Sequence, residues 1–248
     1  MELLQALILG VVQGVGEFLP ISSSGHLVIV GELLDGIMGK KTDMEEKLLL
    51  NVVLHAGTLL SILVVYREKI FKLIKQPRVC VMLLVASIPA GFMGFMYKDL
   101  FEQVFANPLI AGCALFVTAG LLIVGQTFEK SELDYEELPM ERSFIIGLFQ
   151  AGALIPGISR SGSTISGGLL MGLKRDSAAA FSFLMAIPVI GGAALIQAKD
   201  VFEGETAVAN PLALVVGGVV SFVVGLFVLK WLVNLIAKGK LHYFAYYC

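Results

Sequence analysis

Two short polar breaks interrupt long apolar runs, and their residue types are those that bind and attack phosphate. The first runs Glu17-Phe-Leu-Pro20-Ile-Ser22-Ser23-Ser24-Gly25-His26, and the second Pro156-Gly157-Ile-Ser159-Arg160-Ser161-Gly162-Ser163-Thr164. In the second break, Pro156-Gly157 ends one half-helix and Ser161-Gly162 opens the next. A helix start offers unpaired N–H groups and a positive dipole end, which together make an anion site. Ser159, Ser161, Ser163 and Thr164 add hydroxyl donors. Arg160 adds a planar fork that fits two phosphate oxygens at once. Ionisable groups at membrane depth are costly and usually functional.

The first break supplies the reactive side. Gln13 and Glu17 stand four apart and share one helix face. A buried carboxylate needs a cation. Arg160, a divalent metal or a proton would serve, and magnesium favours carboxylate plus phosphate oxygens and water. Gln13 and Glu17 are therefore the candidate metal ligands, with a plain Glu17–Arg160 ion pair as the alternative. Histidine moves protons near neutral pH, so His26 is a candidate acid or base. Ser23 or a neighbour could attack phosphorus, or water attacks and the serines only bind. Ser22, Ser23 and Ser24 also suit helix capping, Ser24 above all. His55, beside Asn51 and Thr58, reads as a satisfied core histidine. Glu32, Asp35 and His242 read as solvated, and Cys80, Cys113 and Cys248 as buried small apolar residues outside any disulfide or metal pattern.

The elements that position these residues are membrane helices. The chain has 248 residues, 57% hydrophobic and 15% charged, against about 25% charged in soluble domains; mean hydropathy is +0.86. Crossings are predicted near Leu48–Tyr66, Val79–Tyr97, Pro108–Gln126, Ala178–Ala198 and Pro211–Ile236. No basic patch points to nucleic acid. Met1-Glu2-Leu3 lacks a basic n-region, so the N-terminus is expected to be retained. The aromatic run 243–247 reads as an interface belt. Gly91/Gly94 and Gly217/Gly218 read as close helix packing.

A shift of 137 positions lays Gly10 on Gly147, Gln13 on Gln150, Ser22 on Ser159, Ser24 on Ser161 and Gly25 on Gly162, without a gap. The chain thus reads as an all-α polytopic membrane protein built as one integral membrane domain from an internal repeat. Residues 1–126 form the first repeat, with a hairpin at 2–35 and three crossings. Residues 127–142 form a linker. Residues 143–248 form the second repeat, with a hairpin at 143–173 and two crossings. Segments 2–18, 24–35, 143–155 and 162–173 are short for a full crossing and read as re-entrant broken helices. Arg67, Lys69, Lys72, Lys75 and Arg78 face one acid, Glu68, in the loop 67–78, which should be cytoplasmic. Threading from there puts 98–107 and 199–209 outside. The first hairpin then enters from the outer face and the second from the cytoplasm, so the repeats are inverted and their tips meet near the midplane. By the repeat, a further crossing is expected near 245–263, which makes the sequence read as truncated.

Gln13-Gly-Val-Gly-Glu17, Phe18 to His26, and Pro156 to Thr164 resemble the motifs of the bacterial undecaprenyl pyrophosphate phosphatases, the bacitracin-resistance membrane family. The resemblance covers nearly the whole chain. It implies hydrolysis of C55 isoprenyl pyrophosphate to the monophosphate and inorganic phosphate, recycling the carrier of cell-wall glycans. It implies a divalent cation, Mg²⁺ or Ca²⁺, and a multi-pass protein of the bacterial plasma (inner) membrane whose site opens to the outer face. Carried over by motif, Glu17, Ser23, His26 and Arg160 are catalytic; Ser22, Ser159, Ser161, Gly162 and Thr164 bind substrate. Glutamine at the first motif position leaves Glu17 most of the metal binding. The implied partners are the lipid pyrophosphate, membrane lipids and, as an open option, a second copy of the chain. A secondary transporter or lipid flippase is the alternative, since inverted repeats and broken helices also serve carriers.

Overall fold

The computed structural model describes residues 2–39, 42–97, 108–128, 132–202 and 210–248. Helices account for nearly all the regular structure among them: α1 (Leu3–Gly16), α2 (Ser23–Met38), α3 (Met44–Val65), α4 (Arg67–Leu73), α5 (Pro77–Met96), α6 (Pro108–Thr127), α7 (Met140–Gly152), α8 (Arg160–Leu170), α9 (Arg175–Phe202), α10 (Pro211–Ala237) and α11 (His242–Tyr247). Five segments are long and apolar enough to cross a membrane: Glu45–Val65, Pro77–Met96, Leu109–Thr127, Arg175–Ile196 and Pro211–Ala237. These match the predicted crossings. The third helix starts earlier than its apolar run because Glu45 and Glu46 suit a first turn. The predicted outer loop 98–107, and 203–209 of the other, lie outside the described residues.

Local chemistry sets the ends. Pro77 and Pro211 sit in the first turns of α5 and α10, where a missing N–H costs nothing. Asn210 caps α10, its side chain accepting from the Ala213 N–H at 3.2 Å. Ser22 and Ser159 cap α2 and α8 in the same way, accepting from Gly25 at 3.3 Å and Gly162 at 3.0 Å. The linker is pinned to the second helix pair: Lys174 Nζ lies 2.7 Å from Asp134 Oδ1, and Ser177 donates to the same oxygen at 2.8 Å. The Lys174 hydrogen bond, then that of Ser177, hold the Asp134 carboxyl below its usual range.

The two short pairs, α1/α2 and α7/α8, pack into the bundle. α1 lies on α10, and α7 on α5. The glycines matched by the shift make both contacts: a Cβ on Gly10 would sit 2.7 Å from the Gly217 carbonyl oxygen, and one on Gly147 2.3 Å from that of Ala86. Phe18, Leu19 and Ile21 of the first break enter the main core beside Ile165 and Leu169 of α8 and Phe181 and Phe183 of α9. Phe18 and Phe183 meet edge to face, centroids 5.8 Å apart. Large side chains such as Phe92, Phe95, Phe116, Leu195 and Phe227 point outward, a surface suited to lipid.

Four expectations need correction. Ser22, not Ser24, caps α2, because Ser24 already lies within the first turn. Asp35 is buried, not solvated: Lys47 lies 2.7 Å from it, and Thr42 and Gln5 donate at 2.8 and 2.9 Å. Segment 42–47 brings this cation and hydroxyl over it. Cys113 is exposed. Gly91 has nothing within 4 Å of an added Cβ, so the close packing expected of it is absent there, while Gly217 and Gly218 do pack closely and Gly10 and Gly147 join them. We expect Gly147→Val to force α7 and α5 apart at an overpacking cost of about 1–3 kcal/mol. The check is the thermal unfolding midpoint in detergent, which should fall, while Gly91→Val should leave it nearly unchanged.

Candidate active site

The tips of the two short pairs touch. Gly157 donates its N–H to Ser22 Oγ at 3.0 Å, and Ser161 Oγ donates to the Leu19 carbonyl at 3.3 Å. A Cβ on Gly25 would stand 3.0 Å from the Gly157 Cα, so the chains meet backbone to backbone. Gly157 has φ +96°, and a Cβ there would lie 2.0 Å from the Ala111 carbonyl oxygen. Only glycine meets both demands. Ser22 holds φ 66°, the one positive value outside glycine among the described residues. Its hydroxyl accepts from Gly25 of its own helix and from Gly157 of the other pair, contacts that offset the strained backbone.

Glu17 stands at the centre of this contact, only 6% exposed. Its Oε1 takes a hydrogen bond from Arg160 Nη2, and the two form a buried ion pair. Its Oε2 accepts from Ser23 Oγ at 2.8 Å and from Gln13 Nε2 at 3.0 Å. Gln13 is fully buried and its Oε1 has no partner. A cavity of about 310 Å³ opens beside them. Glu17, Ser22, Ser23, Ser24, Ser159 and Arg160 supply its polar wall; Leu48, Val52, Leu154, Ile190 and Ala194 are among its apolar lining.

The motif residues divide. Glu17, Ser23 and Arg160 converge, and Ser22 and Ser159 join them at the wall. Ser161, Gly162 and Thr164 are not among the lining residues. Thr164 Oγ1 donates to the Arg160 carbonyl at 2.7 Å and meets Ser182 Oγ at 2.6 Å, bracing α8 against α9. His26 also turns away from the cavity. Its Nδ1 donates to the Ser22 carbonyl at 2.8 Å, and its Nε2 meets the Tyr247 hydroxyl at 2.9 Å under a stacked ring. The aromatic run 243–247, read as an interface belt, thus reaches the first motif.

A different histidine faces the carboxylate. His55 Nδ1 donates to the Asn51 carbonyl at 2.7 Å, the core bond expected of it. That bond aims Nε2 at Glu17 Oε2, 3.4 Å away, and both His55 and Asn51 line the cavity. A histidine within an apolar helix carries no sequence signal for this; only its phase on α3 relative to Thr58, which contacts Gln13 at 3.5 Å, hints at it.

An acid, a hydroxyl that donates to it and a guanidinium open on one cavity, a set of groups with the chemistry for phosphoryl transfer. The chain matches the family described as "Bacitracin resistance protein BacA" over residues 6–248. It belongs to that family. It is 46% identical to an undecaprenyl-diphosphatase of Rhodopirellula baltica, over all of this chain and 94% of the relative. Identity is 42% with a protein of the same name from Bacteroides thetaiotaomicron, covering all of this chain and 96% of the other. A third so named, from Methanosphaera stadtmanae, is 37% identical over all of this chain and 95% of its own length. Five apolar helices and this family membership make the chain a multi-pass membrane protein.

Ser22→Ala would leave two buried N–H groups without an acceptor, at a cost of about 1–3 kcal/mol each. We expect it to lower the unfolding midpoint well beyond Ser24→Ala, whose hydroxyl contacts only Ser22, at 3.3 Å. Equal midpoints for the two variants would contradict the bridge between the tips.

Proposed function

We propose that the chain is an integral membrane phosphatase that hydrolyses undecaprenyl pyrophosphate to undecaprenyl phosphate and inorganic phosphate, recycling the lipid carrier for cell-wall synthesis. The observation that carries this reading is the convergence of Glu17, Ser23 and Arg160 at the polar side of a cavity that also has an extended apolar lining. A lipid pyrophosphate needs both. The head group fits Arg160 and the start of α8, and the isoprenyl tail fits the apolar side chains of α3 and α9.

The Ser23–Glu17 hydrogen bond supports a serine route over direct attack by water. A pyrophosphate entering the cavity competes with Glu17 for the Arg160 fork. The Ser23 hydroxyl, already donating to Glu17 Oε2, attacks the terminal phosphorus and gives its proton to that carboxylate. The Oγ–P bond forms as the bridging P–O bond breaks, and undecaprenyl phosphate leaves with the electron pair. Water then cleaves the phosphoserine, releasing inorganic phosphate, and Ser23 regains a proton through Glu17. Arg160 and the α8 N–H groups hold the charge that develops on the equatorial oxygens. His26 serves the turn: its ring ties Ser22 to Tyr247 and so fixes where Ser23 begins α2.

The donor set suits a hard cation. The Glu17 carboxylate and the orphaned Gln13 Oε1 would hold Mg²⁺ or Ca²⁺ together with substrate oxygens. When bound, the ion neutralises charge on the pyrophosphate.

We read α1/α2 and α7/α8 as re-entrant hairpins of inverted topology. The cavity lining supports this. Gly16, Glu17, Ser22 and Ser23 line it, and so do Ala153, Leu154, Ser159 and Arg160, each 137 positions on. Val52 and Val189 repeat the pattern on α3 and α9. The basic segment 67–78, expected as a loop but folded largely as the short helix α4, argues for a cytoplasmic end there and for entry of the first hairpin from the outer face of the plasma membrane. The same pseudo-symmetry suits a carrier, so the assay must exclude one. Phosphate release by purified protein in detergent, without any gradient, is the phosphatase outcome; no release favours the carrier.

Arg160→Ala and Glu17→Ala should each reduce phosphate release from undecaprenyl pyrophosphate by at least about a hundredfold, with folding and insertion intact. Arg160→Lys keeps the charge but loses the fork, and should recover only part of it. Near-normal turnover in either alanine variant would overturn the assignment. A chelator should abolish turnover and added Mg²⁺ or Ca²⁺ restore it; full activity in the chelator would remove the cation from the account.

A further inference from the structure

We infer that Thr118 is a positioning residue for the phosphate-binding tip: one hydroxyl on α6, outside both motifs, fixes the loop that carries Arg160. The inference rests on the phosphatase reading. Thr118 is fully buried. Its Oγ1 donates to the Gly157 carbonyl at 2.8 Å and accepts the Ser159 N–H at 2.9 Å. A hydroxyl is a donor and an acceptor at one atom, and this site uses both capacities. The two bonded groups flank Ile158 and belong to the backbone just before Arg160.

The loop has no helix or sheet to satisfy these groups. The Gly157 N–H goes to Ser22, and the Gly157 carbonyl and Ser159 N–H go to Thr118. α6 also abuts the loop at Ala111, whose carbonyl oxygen lies where a Gly157 Cβ would be. The tip is therefore held on one side by the first hairpin and on the other by α6. Ser159 is the cap of α8, so Thr118 sets the start of that helix, its free N–H groups and the origin of the Arg160 side chain. Flanking Phe116 and Val117 are exposed, which leaves Thr118 as a lone polar contact on that stretch of an apolar helix.

The test uses the purified full chain as wild type, Thr118→Val and Thr118→Ser. It reads kcat and KM for undecaprenyl pyrophosphate, the inhibition constant of inorganic phosphate, and the unfolding midpoint. Valine keeps the shape and removes the hydroxyl. We expect Thr118→Val to lower kcat about tenfold to a hundredfold, as a misplacement near 1 Å does, and to weaken inhibition by phosphate. Thr118→Ser should keep most of the wild-type turnover. A Thr118→Val protein with a lowered midpoint but unchanged kcat and phosphate inhibition would overturn the inference, leaving Thr118 a packing residue. So would a serine variant as impaired as the valine one. If the valine variant does not fold, Thr118→Ala is read by the same criteria. An inactive wild type rejects the phosphatase reading and this inference with it; an active wild type with an equally active valine variant rejects this inference alone.

Discussion

The Glu17–Arg160 pair is the constraint on which the structure turns. Each charge alone would be costly away from water, and removing one partner of a buried pair strands the other. Their attraction repays desolvation only when geometry is fixed and the remaining polar atoms are satisfied. Much of the molecule serves that condition. Ser22 takes two backbone N–H groups, one from each helix pair. Ser161 reaches the Leu19 carbonyl, and Thr164 braces α8 on Ser182. Gln13 and Ser23 complete the second carboxylate oxygen. The same network that steadies the pair presents it to the cavity.

On the proposed repeat reading, a division of labour between the two tips follows from that arrangement. Positions 17 and 154 correspond, as do 23 and 160. One copy carries the acid and the hydroxyl; the other carries an apolar residue and the cation. Structural duties stayed equal. Ser22 and Ser159 both cap, and Gly10 and Gly147 both let a helix approach a neighbour's backbone. Functional duties diverged, because two identical acids or two identical guanidinia facing each other would repel. In this account, duplication provides two tips and sequence divergence makes them complementary.

Much of this was legible from residues alone. Long apolar runs gave the five spans, because length and hydropathy are the dominant signals for a membrane helix. The Pro/Gly/Ser breaks located the tips, and their charged and hydroxyl side chains singled out Glu17, Ser23 and Arg160. Direction was harder to read. Arg160 and Ser161 are neighbours, yet helical phase sends one toward the cavity and the other toward Leu19. The place of His26 in the motif suits proton transfer, while its ring bonds the Ser22 carbonyl and the Tyr247 hydroxyl, contacts that sequence spacing does not announce. His55 and Thr118 were hidden for a different reason. Each is a polar residue within an apolar stretch of helix, and only the tertiary contact distinguishes a ligand or a brace from a filled core position. Asp35 failed similarly: its partner Lys47 comes from a separate helix across a connecting segment.

The central claim is that two tips make one site, and a double-mutant cycle tests it most directly. Glu17→Asp, Arg160→Lys and the double variant should be compared by kcat/KM for undecaprenyl pyrophosphate. Residues that act as a unit are strongly non-additive. The account predicts that the double variant loses little more than the worse single variant. Losses that simply multiply would mean that Glu17 and Arg160 act independently, and would contradict it.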